Sequence, residues 1–235
     1  MAKILNIETS TSVCSIALSV NGKVVSLQES HTKNSHAEQI SLFSQKVITD
    51  AGIKFSDLDA VSVSKGPGSY TGLRIGVSTA KGYCYGLDIP LISIGTLTAM
   101  ATGMKNHQDF QEYSDNILFC PMIDARRMEV YTALFSKNLT KVEDVTAKII
   151  DNESFSNRFL EYKLIFAGDG ASKCKEALSH QPNAVFKDNF HPSASYQSII
   201  AEQKFLDKDF EDTAYFEPYY LKEFIAGKPR VKGLR

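Results

Sequence analysis

The stretches Lys3-Ile4-Leu5-Asn6-Ile7-Glu8-Thr9 and Val13-Cys14-Ser15-Ile16-Ala17-Leu18-Ser19-Val20 are two short runs of β-type residues, and Asn21-Gly22 follows them at once. Asn-Gly is a strong signal for a type I′ turn, whose twist matches antiparallel strands, so residues 23–29 are expected to return as a third strand. The chain thus opens with a three-stranded antiparallel meander. A Rossmann-like unit would begin instead with a parallel crossover, which needs a helix between its first two strands. Outward from the meander, a helix is expected over 35–50, with Ser35 as N-cap, Glu38 as capping-box partner and Gly52 just past its end. Its apolar stripe is Ile40, Phe43 and Val47. Residues 58–64 alternate as a strand, a glycine-rich loop leads to a helix over 72–86, and a strand at 89–94 precedes a short third helix.

The second half repeats this plan. Strands are expected at 117–124, 128–136 and 141–150, then a helical stretch near 153–160, a strand at 163–167, the loop Gly168-Asp169-Gly170 and another helix. In each half an acidic residue ends the first strand, Glu8 and Asp124, and a Gly-x-Gly follows the fourth. This is an internal duplication of a βββαβα unit. The polar stretch 105–116 divides the chain into units 1–104 and 105–235, so a duplicated α/β fold with a cleft between its halves is expected.

Composition narrows the function. With 235 residues, 43% hydrophobic and 23% charged, the chain can bury a sizeable core. No run approaches the roughly 18 apolar residues that a membrane span needs, and Met1-Ala2-Lys3 runs straight into a strand pattern without the apolar core of a signal peptide. The expectation is a cytoplasmic protein with no membrane contact. Cys14, Cys84, Cys120 and Cys174 form no C-x-x-C pair, which points to free thiols and to neither zinc nor disulfides. A net charge of -1 and a pI of about 6.5 lack the basic balance expected of a module that grips nucleic acid alone. The last 14 residues, Lys222 to Arg235, hold five basic residues and one acidic residue, which reads either as a solvated tail or as an arm toward RNA or a partner protein.

The strongest local signal is Lys65-Gly66-Pro67-Gly68-Ser69-Tyr70-Thr71-Gly72-Leu73-Arg74-Ile75-Gly76, between a strand and a helix. Such a loop can aim backbone N–H groups and a helix dipole at an anion, which makes Gly66, Gly68, Ser69 and Thr71 candidate anion or nucleotide contacts. The alternative is a tight structural turn. It is neither a Walker A loop nor a G-x-G-x-x-G, and Pro67 stands where a nucleophile elbow around Ser69 would require glycine. Further on, Gly72, Gly76 and Ala80 recur every four residues, as do Gly82 and Gly86. Small residues at that spacing let another helix approach closely, or else pack within the same chain.

At this loop the sequence resembles the TsaB family of tRNA threonylcarbamoyladenosine biosynthesis subunits, once classed with the M22 glycoproteases. The run Gly66 to Gly76 matches its hallmark, Ile4 to Thr11 its first strand (with Glu8 where Asp is more usual), and Asn34 to Glu38 the entry to its first helix. Ile123 to Tyr131, Gly168 to Ala171 and Pro218 to Leu221 complete the match over about 215 residues. The resemblance implies the ASKHA fold of actin, sugar kinases and Hsp70, which is ribonuclease H-like. It further implies pairing with a catalytic TsaD subunit through the two N-terminal helices of each chain. Ile40, Phe43, Val47, Gly72, Leu73, Gly76, Val77, Ala80 and Tyr83 are then the candidate contacts and supports. In such a system a TsaC-type enzyme makes threonylcarbamoyl-adenylate, TsaD transfers the group to the adenosine beside the anticodon, and the ATPase TsaE assists. The chain would meet tRNA only within the complex. An adenine nucleotide at the partner interface and a homodimer of the isolated chain stay open.

Turnover by this copy is not expected. Active ASKHA phosphotransferases bring phosphate against glycine-containing hairpins, because a side chain there blocks the backbone N–H groups. Here Glu8-Thr9-Ser10-Thr11 and Asp124-Ala125-Arg126-Arg127-Met128 lack glycine. Glu8 and Asp124 could hold a hydrated Mg²⁺, but capping or turn roles are favoured. The family's catalytic subunit binds metal through a helical His-x-x-x-His pair, whereas His31, His36, His107, His180 and His191 contain no such spacing and there is no H-E-x-x-H. The expectation is therefore a non-catalytic scaffold without a required cofactor or metal. The competing readings are a small-molecule kinase or ATPase and an M22-type metalloprotease.

Overall fold

The computed structural model describes residues 1–32, 36–111, 113 and 116–222. The expected N-cap Ser35 and the tail beyond Lys222 lie outside the described residues. The first half contains β1 (Lys3–Glu8), β2 (Cys14–Val20), β3 (Lys23–Ser30), α1 (His36–Asp50), β4 (Ala60–Gly66), α2 (Tyr70–Leu87), β5 (Leu91–Gly95) and α3 (Thr96–Asn106). After a short α4 (Gln108–Gln111), the second half runs through β6 (Ile117–Asp124), β7 (Glu129–Ser136), β8 (Lys141–Ile149), α5 (Ser156–Phe159), β9 (Lys163–Ala167), α6 (Ala171–Leu178), β10 (Ala184–Lys187) and α7 (Ser198–Leu206).

Each half forms a five-stranded sheet, ordered β3-β2-β1-β4-β5 and β10-β9-β6-β7-β8. In both, a three-stranded antiparallel meander continues into two parallel strands, so the two sheets have the same topology. This is the duplicated ASKHA fold. Asn21 and Gly22 take positive φ, as the type I′ turn between β2 and β3 requires. Helix α2 starts two residues earlier than the sequence suggests, because Ser69 caps it by accepting from the Gly72 N–H at 3.3 Å. Helix α5 is shorter than expected, and Phe155 precedes it with a left-handed φ of 64°.

Period-two alternation divides β1 and β4 between two cores. Leu5, Ile7, Val61 and Val63 pack under α1 and α2 with Ile40, Val47, Val77 and Ala80, while Ile4 and Ala60 face the other way, toward Ile94, Ala99 and Ala201. Burying one such aliphatic side chain contributes about 1.5–3 kcal/mol, which is how amphipathic helices are fixed to the sheet. Helix α3 serves both halves. Its Ala99 packs on the first sheet, and Leu97, Met100, Ala101 and Met104 pack against Phe119, Phe135 and Ile165 of the second. The four cysteines are free and buried, and burial pushes the Cys84 and Cys120 thiols up to about 12.

The C-terminal part departs from the sequence division into 1–104 and 105–235. From Ser193 onward the chain leaves the second sheet and returns to the first. A 3-10 turn (Ala194–Gln197) and α7 lie on its second face, and Gln197 is fully buried there. Glu211 then pairs with Leu91 of β5, Lys81 of α2 donates to the Ala214 and Phe216 carbonyls at 3.1 and 3.2 Å, and the Tyr219 N–H donates to the Lys65 carbonyl at 2.7 Å. Residues 211–222 thus form a strap over α2 and the glycine-rich loop.

Candidate functional site: the cleft between the halves

A cleft of about 710 Å³ lies between the two sheets, where the first hairpin of each half faces the other. The hairpin after β1 lines it with Ser10, Thr11 and Ser12, and part of its polar surface is engaged internally, while the buried Ser10 Oγ has no partner among the described residues. The Ser10 N–H donates to Glu8 Oε1 at 2.7 Å, the Val13 N–H donates to Thr11 Oγ1 at 3.3 Å, and Ser64 Oγ donates to Glu8 Oε2. Glu8 is fully buried, and desolvation raises its carboxyl above the ordinary value of 4.5 despite the opposing hydrogen bonds from Ser10 and Ser64 and the charge of His36. Gln197 closes this network. Its Nε2 donates to the Ile7 carbonyl at 2.9 Å and to Ser64 Oγ at 3.1 Å, while its Oε1 accepts from Ser62 Oγ at 2.9 Å. Ser62 Oγ also lies 2.7 Å from Asn6 Oδ1.

The glycine-rich loop lies on this hairpin, and its glycines permit the approach. A Cβ at Gly68 would collide with the Ser10 carbonyl, one at Gly72 with the Thr9 carbonyl, and one at Gly76 with Thr9 Oγ1. The Ser69 N–H donates to the Ser10 carbonyl at 2.6 Å, and Thr9 Oγ1 donates to the Gly72 carbonyl at 2.8 Å. Gly66, at φ 112°, meets the Tyr219 carbonyl of the strap. The tight structural turn is therefore what this geometry builds. Of the four candidate anion contacts, Gly66 and Gly68 serve backbone packing and Ser69 caps α2, leaving Thr71 exposed at the cleft.

The second half mirrors the first. Gly168, at φ 116°, and Gly170 press on the backbone of Met122, Ile123 and Asp124 at the end of β6. Asp169 accepts from the Asp124 N–H at 3.1 Å, and burial together with the Asp124 charge raises its carboxyl. Asp124 is a turn residue. Its Oδ1 accepts from the Arg126 N–H at 2.8 Å and is ion-paired with Lys173. His36 Nε2 donates to the Val13 carbonyl at 3.1 Å at the start of α1. Among the described residues no three His, Cys, Asp or Glu side chains gather as a metal site. No helix among them is long and apolar enough to cross a membrane.

The residues expected at a partner surface are mostly elsewhere. Ile40, Val47, Leu73, Val77 and Ala80 are buried, and so are Gly72 and Gly76, which pack on Thr9 of the same chain. The four-residue spacing of small residues therefore reflects closeness to β1 and its hairpin, not to a second molecule. Phe43 and Tyr83 are half-buried, and Tyr83 stacks on Phe55 at 5.3 Å. The outward faces of α1 and α2 carry Leu42, 63% exposed, Tyr85, 88% exposed, and Gly82 and Gly86, which have open space where a Cβ would stand. The sequence reading missed Gln197 and the strap. The alternation Val61-Ser62-Val63-Ser64 was an available signal, since serines on one face of a buried strand require a polar partner.

Comparison with known proteins gives this geometry a family. A family model described as TsaD, tRNA N6-adenosine threonylcarbamoyltransferase, matches residues 25–226. The Haemophilus influenzae tRNA threonylcarbamoyladenosine biosynthesis protein TsaB is 27% identical over 96% of this chain and 95% of its own length. The TsaB of Buchnera aphidicola from Acyrthosiphon pisum is 30% identical over 79% of this chain and 84% of its own. A crystal structure of a Pseudomonas aeruginosa protein described as similar to peptidase YeaZ superposes with a TM-score of 0.81, at 22% identity, covering 94% of this chain and all of that one. By length, sequence and fold, the chain belongs to the TsaB family, within the wider family that the TsaD threonylcarbamoyltransferase model describes.

Proposed function

We propose that this chain is a non-catalytic subunit of a tRNA threonylcarbamoyladenosine-forming complex, and that it pairs with a TsaD-like catalytic subunit through the outward faces of α1 and α2. Support for the biosynthetic role comes from the names of the relatives and from the family match. Support for the non-catalytic role comes from one observation above all. Two backbone N–H groups of the first hairpin, those of Ser10 and Val13, are bonded to Glu8 and Thr11, and the glycine-rich loop lies against the Thr9 and Ser10 carbonyls. Support for the pairing surface comes from exposed apolar groups beside open glycine positions, where a second helix can approach closely.

The kinase reading requires free phosphate-binding groups in the cleft, and the metalloprotease reading requires a ligand cluster. Nothing in the described cleft favours either. A TsaE-like ATPase and tRNA belong to the assembled complex in this reading. The test is co-purification with partners identified by mass, followed by reconstitution of threonylcarbamoyl transfer with and without this chain. The expected results are recovery of a TsaD-like partner, transfer that depends on both chains, and no ATP turnover by this chain alone. Turnover of roughly 1 s⁻¹, a modest enzyme rate, in a partner-free preparation would overturn the reading.

A further inference from the structure

The hairpin joining β6 to β7 has a feature that the pairing reading does not use. Arg126 and Arg127 occupy adjacent left-handed positions, with φ of 72° and 51°, at its tip. Residues other than Gly, Asn and Asp are uncommon there, and two in succession are held by hydrogen bonds. Asp124 Oδ1 accepts from the Arg126 N–H, the Ala125 N–H donates to the Glu129 carbonyl at 3.1 Å, and the Glu129 N–H donates to the Arg126 carbonyl at 3.2 Å.

The carboxylates on either side of the tip are taken by lysines. Asp124 is paired with Lys173 of α6, and Glu129 with Lys222 of the strap. Both arginines are exposed and neither has an ion pair among the described residues. Arg126 lines the cleft together with Tyr70, Tyr220 and Lys222. Across it, the Tyr70 and Tyr220 rings lie 4.9 Å apart, and the exposed Arg74 guanidinium sits 4.9 Å from the Tyr70 ring centroid. The described residues end on this rim at Lys222. The whole chain has a net charge of -1, so this concentration of cations is local.

We propose that the cleft rim, formed by Arg126 and Arg127 with Arg74 and the Tyr70–Tyr220 pair opposite, is the surface on which this chain receives the phosphate backbone of an RNA. The inference rests on the reading of the chain as part of a tRNA-modifying complex. Planar guanidinium forks match phosphate oxygens, and aromatic faces accept unpaired bases. The Ser10 and Val13 N–H groups of the first hairpin are already engaged, whereas Arg126 and Arg127 are exposed at the rim, where a chain of phosphates can cross. The near-neutral body adds specificity of place without strong binding of its own.

The test uses the full-length chain, alone at low salt and assembled with its TsaD-like partner, titrated with a fluorescein-labelled unmodified tRNA transcript over a range of salt. Arg126→Ala/Arg127→Ala is compared with Arg126→Lys/Arg127→Lys and with Lys204→Ala, which lies on α7. In the alanine pair, affinity is expected to fall about tenfold and the slope of log affinity against log salt to drop by about 1 to 2, for two lost phosphate contacts. The lysine pair should keep most of the slope, and Lys204→Ala should match wild type. Partner affinity and melting temperature are measured on the same variants. Equal tRNA affinity of wild type and alanine pair in both titrations, or no tRNA binding in either, overturns the proposal, as does a loss that falls on partner affinity instead, which would mark a protein-facing surface. Failure of wild type to assemble with the partner would sink the complex reading separately, since the titration of the chain alone still decides the rim.

Discussion

At the residue scale, Glu8 bears most directly on the proposed non-catalytic role. A carboxylate that orients metal or water must stay ionised and reachable, whereas Glu8 is sealed between Ser10, Ser64 and the sheet, with burial favouring its neutral form. The linkage has a definite sign. Because the folded carboxyl holds its proton to higher pH than the unfolded one, the folded state binds more protons above about pH 4.5, and stability falls as pH rises through that window until the folded group ionises. Glu8→Gln cannot titrate. Urea unfolding of both proteins at about pH 4.5 and about pH 7.5 should therefore show wild type losing stability relative to Glu8→Gln at the higher pH. A difference between the two proteins that is constant with pH would mean that folding leaves the Glu8 carboxyl at its ordinary value.

At the scale of elements, α2 has two rows of glycine with opposite roles. A side chain at Gly76 must displace Thr9, whose hydroxyl is bonded to the Gly72 carbonyl, so Gly76→Leu should lower the stability of the isolated chain by about 1–3 kcal/mol. Gly82 faces open space, so Gly82→Leu should leave that stability unchanged or raise it by about 0.5–1 kcal/mol through helix propensity. If a partner helix packs on the outward face, Gly82→Leu should weaken TsaD-like binding about five- to 150-fold, the equivalent of a 1–3 kcal/mol overpacking cost. Melting curves and partner titrations on both variants check the pair. Unimpaired binding by Gly82→Leu would remove this face from the pairing surface.

At the scale of the whole molecule, the C-terminal segment holds the halves in register. Gln197 bridges β1 and β4 through Ile7, Ser62 and Ser64, α7 covers the first sheet, and Lys222 reaches Glu129 of the second half. Gln197→Ala would remove one hydrogen bond each from the Ile7 carbonyl, Ser62 and Ser64 and leave a void, and should cost roughly 2–4 kcal/mol of unfolding free energy. Denaturant titration followed by probes in each half checks this. The expected outcome is a loss felt by both halves, because the bridging α3 and the returning segment couple them; a loss confined to the first half would show that they unfold separately.

The sequence by itself determined the duplicated meander-led fold, since Asn21-Gly22 and alternating apolar runs act over a few residues and need no distant partner to be read. It also determined that both hairpins lack glycine and that no helical histidine pair exists, because these depend only on residue identity and spacing. It could not decide what the glycines of α2 face. Spacing of four places Gly72, Gly76 and Ala80 on one side of a helix, but whether that side meets β1 or another molecule is a fact of packing, and the sheet occupies it. The return of residues 193–222 to the first sheet was equally invisible. A half-buried short helix and an irregular strap carry little periodicity, and their partners, Ser62, Ser64, Leu91 and Lys65, lie more than 100 residues away in the chain. Such contacts follow from where the sheet leaves polar groups to be satisfied, and only the folded arrangement fixes that place.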